Sequence, residues 1–163
     1  NLNLYASASV FILLTLMFIG ASPGSTGGGV KTSSLGMVFA YLRSRIRNRE
    51  NIDLFYRHIP SKTIEKSFMV IFLALSLICL SFVLLLSFEK EFKVIELLFE
   101  TISAFSTVGL SMGVTAKLSL ASKIVIIITM FIGRIGPLTI LVALSKRESK
   151  GDYQYPEENI MIG

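Results

Sequence analysis

The sequence predicts an all-α integral membrane protein, and three observations support this fold class. Only 17% of the residues are charged, against about 25% in ordinary soluble domains. The uncharged run Ser67–Phe88 spans 22 residues, long enough for a helix to cross a hydrocarbon core of about 30 Å. Near the start of the chain, a second apolar segment is interrupted by a Gly-rich stretch, which predicts a broken transmembrane helix.

The charge pattern also favours a membrane setting. The net charge is +5, and in a soluble domain such a balance would point to nucleic acid. Here the basic residues border apolar spans, which is typical of cytoplasmic loops. We therefore expect contact with membrane lipid and no nucleic-acid partner. No cluster of His, Cys and carboxylate residues in the sequence predicts a metal site.

The first 42 residues predict a helix, a break and a second helix. Leu4–Ile19 is apolar but shorter than the roughly 20 residues of a full span. It runs into Gly20–Gly29, which holds five Gly and one Pro, both poor residues for a helix interior. Val30–Leu42 is again compatible with a helix. Broken backbone at membrane depth is tolerated only where protein buries it or where it lines a water-filled path.

Residues 43–66 predict a basic cytoplasmic linker, because seven Lys and Arg residues fall within them. The helix Ser67–Phe88 would then lead outward to the charged segment 89–93. A second charged segment, residues 147–163, predicts a cytoplasmic tail.

Residues 67–146 predict a helix, a re-entrant pore loop and a helix. Val94–Ala104 is amphipathic and too short to span the bilayer. Phe105–Gly113 is rich in Ser, Thr and Gly, and Ile124–Leu144 is the last long apolar segment. Many ion channels use such a unit to present backbone carbonyls to a dehydrated cation.

The candidate ion-binding residues directly follow the short helix. A filter needs backbone carbonyls that point at the ion, and Gly permits the required dihedral angles, while the C-terminal end of the helix adds partial negative charge. An ordinary polar loop that closes a hairpin is the alternative, and the short preceding helix favours the filter. The predicted filter residues are Ser106, Thr107, Val108, Gly109 and Leu110.

The Gly-rich segment predicts a movable element rather than a phosphate site. A phosphate-binding loop requires Gly directly before Lys and Ser or Thr, whereas Val30 separates Gly29 from Lys31. A flexible hinge and a loop that obstructs a pore both remain open. The candidate gate residues in this segment are Gly20, Ser22, Gly24, Ser25, Thr26, Gly27, Gly28 and Gly29.

Arg134 completes the predicted gate. It lies ten residues before Leu144, roughly 15 Å deep by helical rise, where a charge costs on the order of 2.5 kcal/mol or more. Snorkelling to the interface is the alternative. A guanidinium at this depth could instead donate to the free carbonyls of the 20–29 segment.

Three motifs in this order resemble the Trk/Ktr/HKT superfamily of potassium transporters. They are Gly20–Thr32, Ser103–Leu110 and Phe131–Thr139, and the closing Tyr153–Gly163 is similar to the end of Ktr-type membrane subunits. The resemblance implies four linked helix–pore loop–helix repeats. Residues 1–42 would be the broken second helix of the third repeat, with its gating loop at 20–29, and residues 67–146 would be the fourth repeat.

The resemblance also implies a function and partners. The chain would be a non-enzymatic, multi-pass protein of the bacterial cytoplasmic membrane that takes up K⁺, with Na⁺ dependence as an open alternative and no covalent cofactor. A homodimer and a cytoplasmic ring of nucleotide-binding regulatory subunits are implied as partners. We further expect N-terminal repeats of the same chain, because the sequence opens without Met and holds only part of the four-repeat pattern.

Two other function classes are weighed against transport. A non-transporting membrane scaffold would use the same helices for assembly, but it has no need for Arg134 opposite broken backbone. A membrane enzyme is disfavoured because the sequence shows no nucleophile–base pair and no paired intramembrane carboxylates.

Overall fold

The fold is described from a computed structural model that covers residues 7–47, 53–54, 57–136 and 139. The predicted tail 147–163 and the end of the last predicted helix lie outside this range. Within it, the helices are α1 (Ser7–Phe18), α2 (Thr32–Ile46), α3 (Ser61–Phe88), α4 (Val94–Ser106) and α5 (Leu120–Ile135), with a 3₁₀ turn at Thr115–Lys117.

The linker between α2 and α3 contains a small element that the sequence does not predict. The strands β1 (Asp53–Leu54) and β2 (Arg57–His58) pair antiparallel over two residues each. Strands of two residues are too short to show the alternation of apolar and polar residues from which strands are predicted. Apart from these strands, the described residues are helical or irregular, which agrees with the predicted all-α class.

Helix α3 matches the predicted membrane span. Its 28 residues reach about 42 Å at 1.5 Å per residue. Among the described helices, it is the one that is long and apolar enough to cross a bilayer. Phe72, Leu75 and Leu80 are exposed along its length, an apolar face of the kind that contacts lipid or further protein.

Helix α3 begins at Ser61 rather than at the predicted Ser67, and α2 continues to Ile46. The predicted linker 43–66 is therefore shorter than expected. Ile64 explains the difference at α3, because it is buried against α2 while the charged side chains around it stay exposed. Packing of one face is enough to keep this turn helical outside the apolar run.

The chain is not helical between Phe18 and Thr32, so the break predicted from the Gly-rich segment is present. Helix α2 begins two residues later than the predicted Val30, because Val30 is part of the loop. Helix α1 lies against α4, and α2 lies against α3.

Helix α4 is the central element, since it packs against α1, α3 and α5. Phe99 faces α1 in one buried cluster, and Leu97 faces α3 and α5 in another. Phe105, near the end of α4, is buried against α3 and against Val30 of the loop. Helix α4 is therefore enclosed by α1, α3 and α5, and its end also contacts the loop.

Helices α3 and α5 form a hairpin around α4. A buried hydrogen bond joins Ser81 Oγ and Thr129 Oγ1 at 2.7 Å. At the open end of the hairpin, the Ser119 amide donates to Glu89 Oε1 at 2.7 Å. Ser119 is the N-cap of α5, and its hydroxyl accepts from the Ser122 amide. Capping and a nearby carboxylate both stabilise this helix start.

Candidate functional site

The loop between α1 and α2 is closed at its neck by backbone contacts. The Gly20 amide donates to the Val30 carbonyl at 2.8 Å, and the Val30 amide donates to the Phe18 carbonyl at 3.3 Å. A Cβ on Gly20 would lie 2.3 Å from the Gly28 carbonyl oxygen. Gly29 has a φ of +80°, which other residues rarely adopt. The neck therefore requires glycine on both sides.

The tip of the loop is exposed and is shaped by its own residues. The Ser25 amide donates to the Ser22 carbonyl at 3.1 Å, and the Gly27 amide donates to Ser25 Oγ at 3.2 Å. Gly24 has a φ of +86° at this turn, and Thr26 is exposed beside it. These hydrogen bonds lie within the tip, so they do not attach it to the helices.

A lysine binds the loop carbonyls. Lys31 Nζ donates to the Gly27 carbonyl at 2.7 Å and to the Ser25 carbonyl at 3.1 Å. The sequence analysis assigned this role to Arg134 and considered Lys31 only for a phosphate site. In the described part of the chain, no hydrogen bond or ion pair links Arg134 to residues 20–29, and its side chain is exposed. Its part in the gate stays a prediction.

Helix α4 ends in a Schellman motif with an unusual residue. The Val108 amide donates to the Ser103 carbonyl and the Thr107 amide to the Ala104 carbonyl, both at 3.1 Å, which is the hydrogen-bond pattern of that motif. Thr107 takes the left-handed position, with φ 54° and ψ 35°. A β-branched residue in this region is a backbone outlier, and such strain costs about 1–3 kcal/mol. The surrounding contacts must hold it there.

The main such contact comes from the loop. The Gly28 amide donates to Thr107 Oγ1 at 2.9 Å, across 79 residues of sequence. A Cβ on Gly28 would lie 2.9 Å from that oxygen and 3.0 Å from the Phe105 carbonyl oxygen. The loop backbone therefore rests directly on the end of α4. The sequence predicts both segments but not the contact between them.

The remaining candidate filter residues divide into two groups. Ser106 is the last residue of α4, and its buried hydroxyl has no hydrogen-bond partner among the described residues. Val108, Gly109 and Leu110 are non-helical and exposed, and Gly109 has a φ of +81°. The irregular part of the predicted filter therefore begins at Thr107 rather than at Ser106.

At Gly133, helix α5 packs directly against the end of α4. A Cβ there would lie 1.9 Å from the Phe105 carbonyl oxygen, so the backbone of α4 touches the backbone of α5. Gly133 stands next to Arg134 in the motif noted in the sequence, but its partner on another helix could not be deduced from one chain segment.

A polar cluster lies behind the candidate filter. Glu100 of α4 is buried, with 5% of its surface exposed. Its Oε1 accepts from Ser111 Oγ, and its Oε2 accepts from Thr115 Oγ1 at 2.9 Å. Ser103 Oγ donates to the Leu110 carbonyl at 2.6 Å. The sequence predicts an amphipathic helix at Val94–Ala104, but one buried carboxylate within it gives no separate signal.

A short enclosed helix that ends on exposed, Gly-containing backbone is compatible with a membrane protein that conducts ions past backbone carbonyls. The family comparison agrees, because the model of the TrkH family, described as a cation transport protein, matches residues 3–154. The chain belongs to this family, which confirms the resemblance seen in its motifs.

Comparison with curated relatives gives the same family. Ktr system potassium uptake protein D of Bacillus subtilis is 39% identical over 163 residues, covering the whole chain and 36% of that relative. Ktr system potassium uptake protein B of Vibrio alginolyticus is 36% identical, over the whole chain and 35% of its own length. Potassium/sodium uptake protein NtpJ of Enterococcus hirae is 36% identical over 96% of the chain and 36% of that relative. The chain thus spans about a third of these relatives.

Proposed function

We propose that this chain supplies a selectivity filter segment and a gating loop to a pore through which K⁺ enters the cell. The observation that carries the proposal is the hydrogen bond from the Gly28 amide to Thr107 Oγ1. It joins the two non-helical segments that the sequence marks as gate and filter. A loop that rests on the end of a pore helix is in position to admit or block an ion.

The filter is proposed to use the backbone carbonyls of residues 106–110. The C-terminal end of α4 points its partial negative charge toward this segment, which favours a cation. Val108 and Leu110 are exposed, with 47% and 40% of their surfaces accessible, so the outer side of the segment is open to other parts of a pore. A re-entrant path for residues 94–119 between the helices α3 and α5 follows from this assignment.

The gate is proposed to be residues 20–29. The neck is fixed by glycine contacts, while the tip makes hydrogen bonds within itself and to Lys31, the residue that follows the neck. Such a loop can shift as a unit and expose or cover the end of α4. Arg134 is proposed to stabilise one position of the loop, since it lies on α5 one residue after Gly133, which contacts Phe105.

A scaffold role without transport is less well supported. A scaffold does not need a β-branched residue at φ 54°, and strain of this kind clusters at functional sites.

The transported ion is proposed to be K⁺, alone or together with Na⁺. The names of the relatives include potassium uptake for two of them and potassium/sodium uptake for the third. We further propose a multi-pass location in the bacterial cytoplasmic membrane, further pore repeats that complete the channel, a homodimer, and a cytoplasmic nucleotide-binding ring as regulator. The exposed apolar face of α3 and the exposed side of the filter segment are consistent with such neighbours.

The test of the filter is Gly109→Ser in the complete transporter. A side chain at φ +81° forces the backbone to change, so we expect a several-fold loss of K⁺ uptake or of the preference for K⁺ over Na⁺. Uptake of both ions into K⁺-depleted cells measures this.

Gly24→Ser is the matched control. Gly24 has a φ of +86° and, like Gly109, open space around a Cβ, but it lies in the tip of the loop, outside the proposed filter. It should retain the ion preference. If Gly109→Ser transports both ions as the parent protein does, the filter assignment is wrong.

A further inference from the structure

The segment that follows the candidate filter is fastened to α4 by side chains. Glu100 accepts hydrogen bonds from Ser111 Oγ and Thr115 Oγ1, and the Thr115 oxygen also lies 2.7 Å from Ser111 Oγ. One turn further along α4, Ser103 Oγ donates to the Leu110 carbonyl. The chain therefore leaves α4 at Ser106 and is tied back to the same helix within the next nine residues.

A pocket lies behind the proposed filter, so the hydrogen bonds of Glu100 and Ser103 matter for the position of the filter backbone. A pocket of about 120 Å³, partly open to the surroundings, lies between α4, the return segment (residues 111–115) and α5, and it is lined in part by Glu100, Gly109, Leu110 and Met130. Apart from its chain neighbours, no described heavy atom lies within 4 Å of a Cβ built on Gly109. Because dense packing does not support Gly109 from behind, its position depends on the polar groups on either side.

Glu100 is the charged residue among these polar groups. Its side chain is almost fully buried, and both carboxylate oxygens have hydroxyl partners on the return segment. Burial of a carboxylate costs free energy unless it is hydrogen-bonded. Movement of the return segment would remove the hydrogen bonds of Glu100, so the buried carboxylate favours the observed position of that segment. Hydrogen bonds to a carboxylate are shorter and stronger than those between neutral groups.

We propose that Glu100 is a positioning residue for ion selectivity, which holds the carbonyls of residues 107–110 at the spacing that suits K⁺ by binding Ser111 and Thr115. The inference rests on the proposed filter. Glu100 itself does not touch the ion. It acts through the backbone that its two hydroxyl partners fix.

The experiment measures K⁺ and Na⁺ uptake by the complete transporter with Glu100→Gln, with Thr115→Val, and with both. Gln keeps the size of the side chain but accepts through one oxygen only, and Val keeps the shape of Thr without the hydroxyl. We expect the preference for K⁺ over Na⁺ to fall about tenfold in either variant, the scale of one hydrogen bond to a carboxylate, with a raised KM for K⁺. The double variant should lose no more than either single one.

Glu96→Gln is the control on the same helix. Glu96 is half-buried and accepts from the Lys93 amide at the start of α4, away from residues 107–115. It should keep the parent KM and ion preference. All variants are compared at equal amounts of folded protein in the membrane, judged by size-exclusion profile.

The outcomes separate this inference from the proposed function. If Gly109→Ser changes the ion preference while Glu100→Gln and Thr115→Val both keep it, the filter stands and the positioning role is wrong. If Gly109→Ser also keeps it, the filter assignment fails first. Additive losses in the double variant would also overturn the role, because they would show that Glu100 and Thr115 act separately. If Glu100→Gln does not fold, Thr115→Val decides alone, since it leaves the carboxylate in place.

Discussion

Residues 20–29 and residues 107–110 are both non-helical and contain glycine, yet they are held in different ways. The loop is closed by its own backbone at Gly20 and Val30 and is bound by Lys31 from its own end. Residues 107–110, the proposed filter, are held from behind by Ser103 of α4, whose hydroxyl donates to the Leu110 carbonyl. Apart from the hydrogen bond from the Gly28 amide to Thr107 Oγ1, the loop is tied to itself and can move as a unit, whereas a segment tied to a buried helix keeps its geometry. The difference suits a gate and a filter.

The largest effect is expected at the neck of the loop. Gly20→Ala places a methyl group where the Gly28 carbonyl oxygen now lies, since the two would be 2.3 Å apart. Overpacking of this kind costs roughly 1–3 kcal/mol or more. We expect a clear loss of thermal stability in detergent and an altered K⁺ flux.

Gly36→Ala is the matched control for this variant. Gly36 lies inside α2 with nothing within 4 Å of an added Cβ, so alanine there should stabilise the protein by about 0.5–1 kcal/mol. Equal stability changes in the two variants would contradict the tightly closed neck.

A smaller effect is expected where the two regions meet. Thr107→Val removes the oxygen that accepts from the Gly28 amide and keeps the shape of the side chain. Loss of one such hydrogen bond is worth about 1 kcal/mol, so exchange of the Gly28 amide hydrogen with solvent should become several-fold faster. Thr107→Ser keeps the hydroxyl and should leave that exchange rate near the parent value. Unchanged exchange in Thr107→Val would mean that the loop does not rest on α4 in the membrane.

Much of this arrangement follows from the sequence, and the rest depends on contacts between distant segments. Five Gly and one Pro in ten residues predict the break at 20–29, because helix propensity is a local property. Lys31 donates to two of the loop carbonyls, which the sequence does not predict because the direction of a lysine side chain depends on how the loop folds, and the contact expected of Arg134 stays a prediction. The contacts of Gly133 and Glu100 likewise require the packing of α4, which no single segment encodes.

The smallest effect concerns the helix hairpin around the filter, and it should leave the loop untouched. The backbone amide of Ser119, helped by the Ser119 and Ser122 hydroxyls, holds the pKa of Glu89 below its ordinary value of 4.5. A lowered folded-state pKa means that this contribution to stability is complete above pH 4.5 and is lost as the pH falls through the lower folded value.

Acid should therefore weaken the α3–α5 hairpin slightly, and Glu89→Gln should remove that part of the pH dependence. Thermal unfolding in detergent between pH 3 and pH 6, a range of about three units around the ordinary carboxylate pKa, measures it. Identical pH profiles for the parent protein and Glu89→Gln would show that the Ser119 contact does not contribute.

The proposal that residues 20–29 gate the pore while residues 107–110 select the ion is tested most directly by deletion of Ser22–Gly27. The quantities measured are the K⁺ flux and the ratio of K⁺ to Na⁺ flux. This change removes the tip of the loop, including the carbonyls that Lys31 binds, and leaves α4 and residues 107–110 intact. If the loop is a gate and the segment after α4 is the filter, K⁺ flux should rise while the ratio stays at the parent value. A flux that does not change, or a ratio that falls with the deletion, would contradict the account.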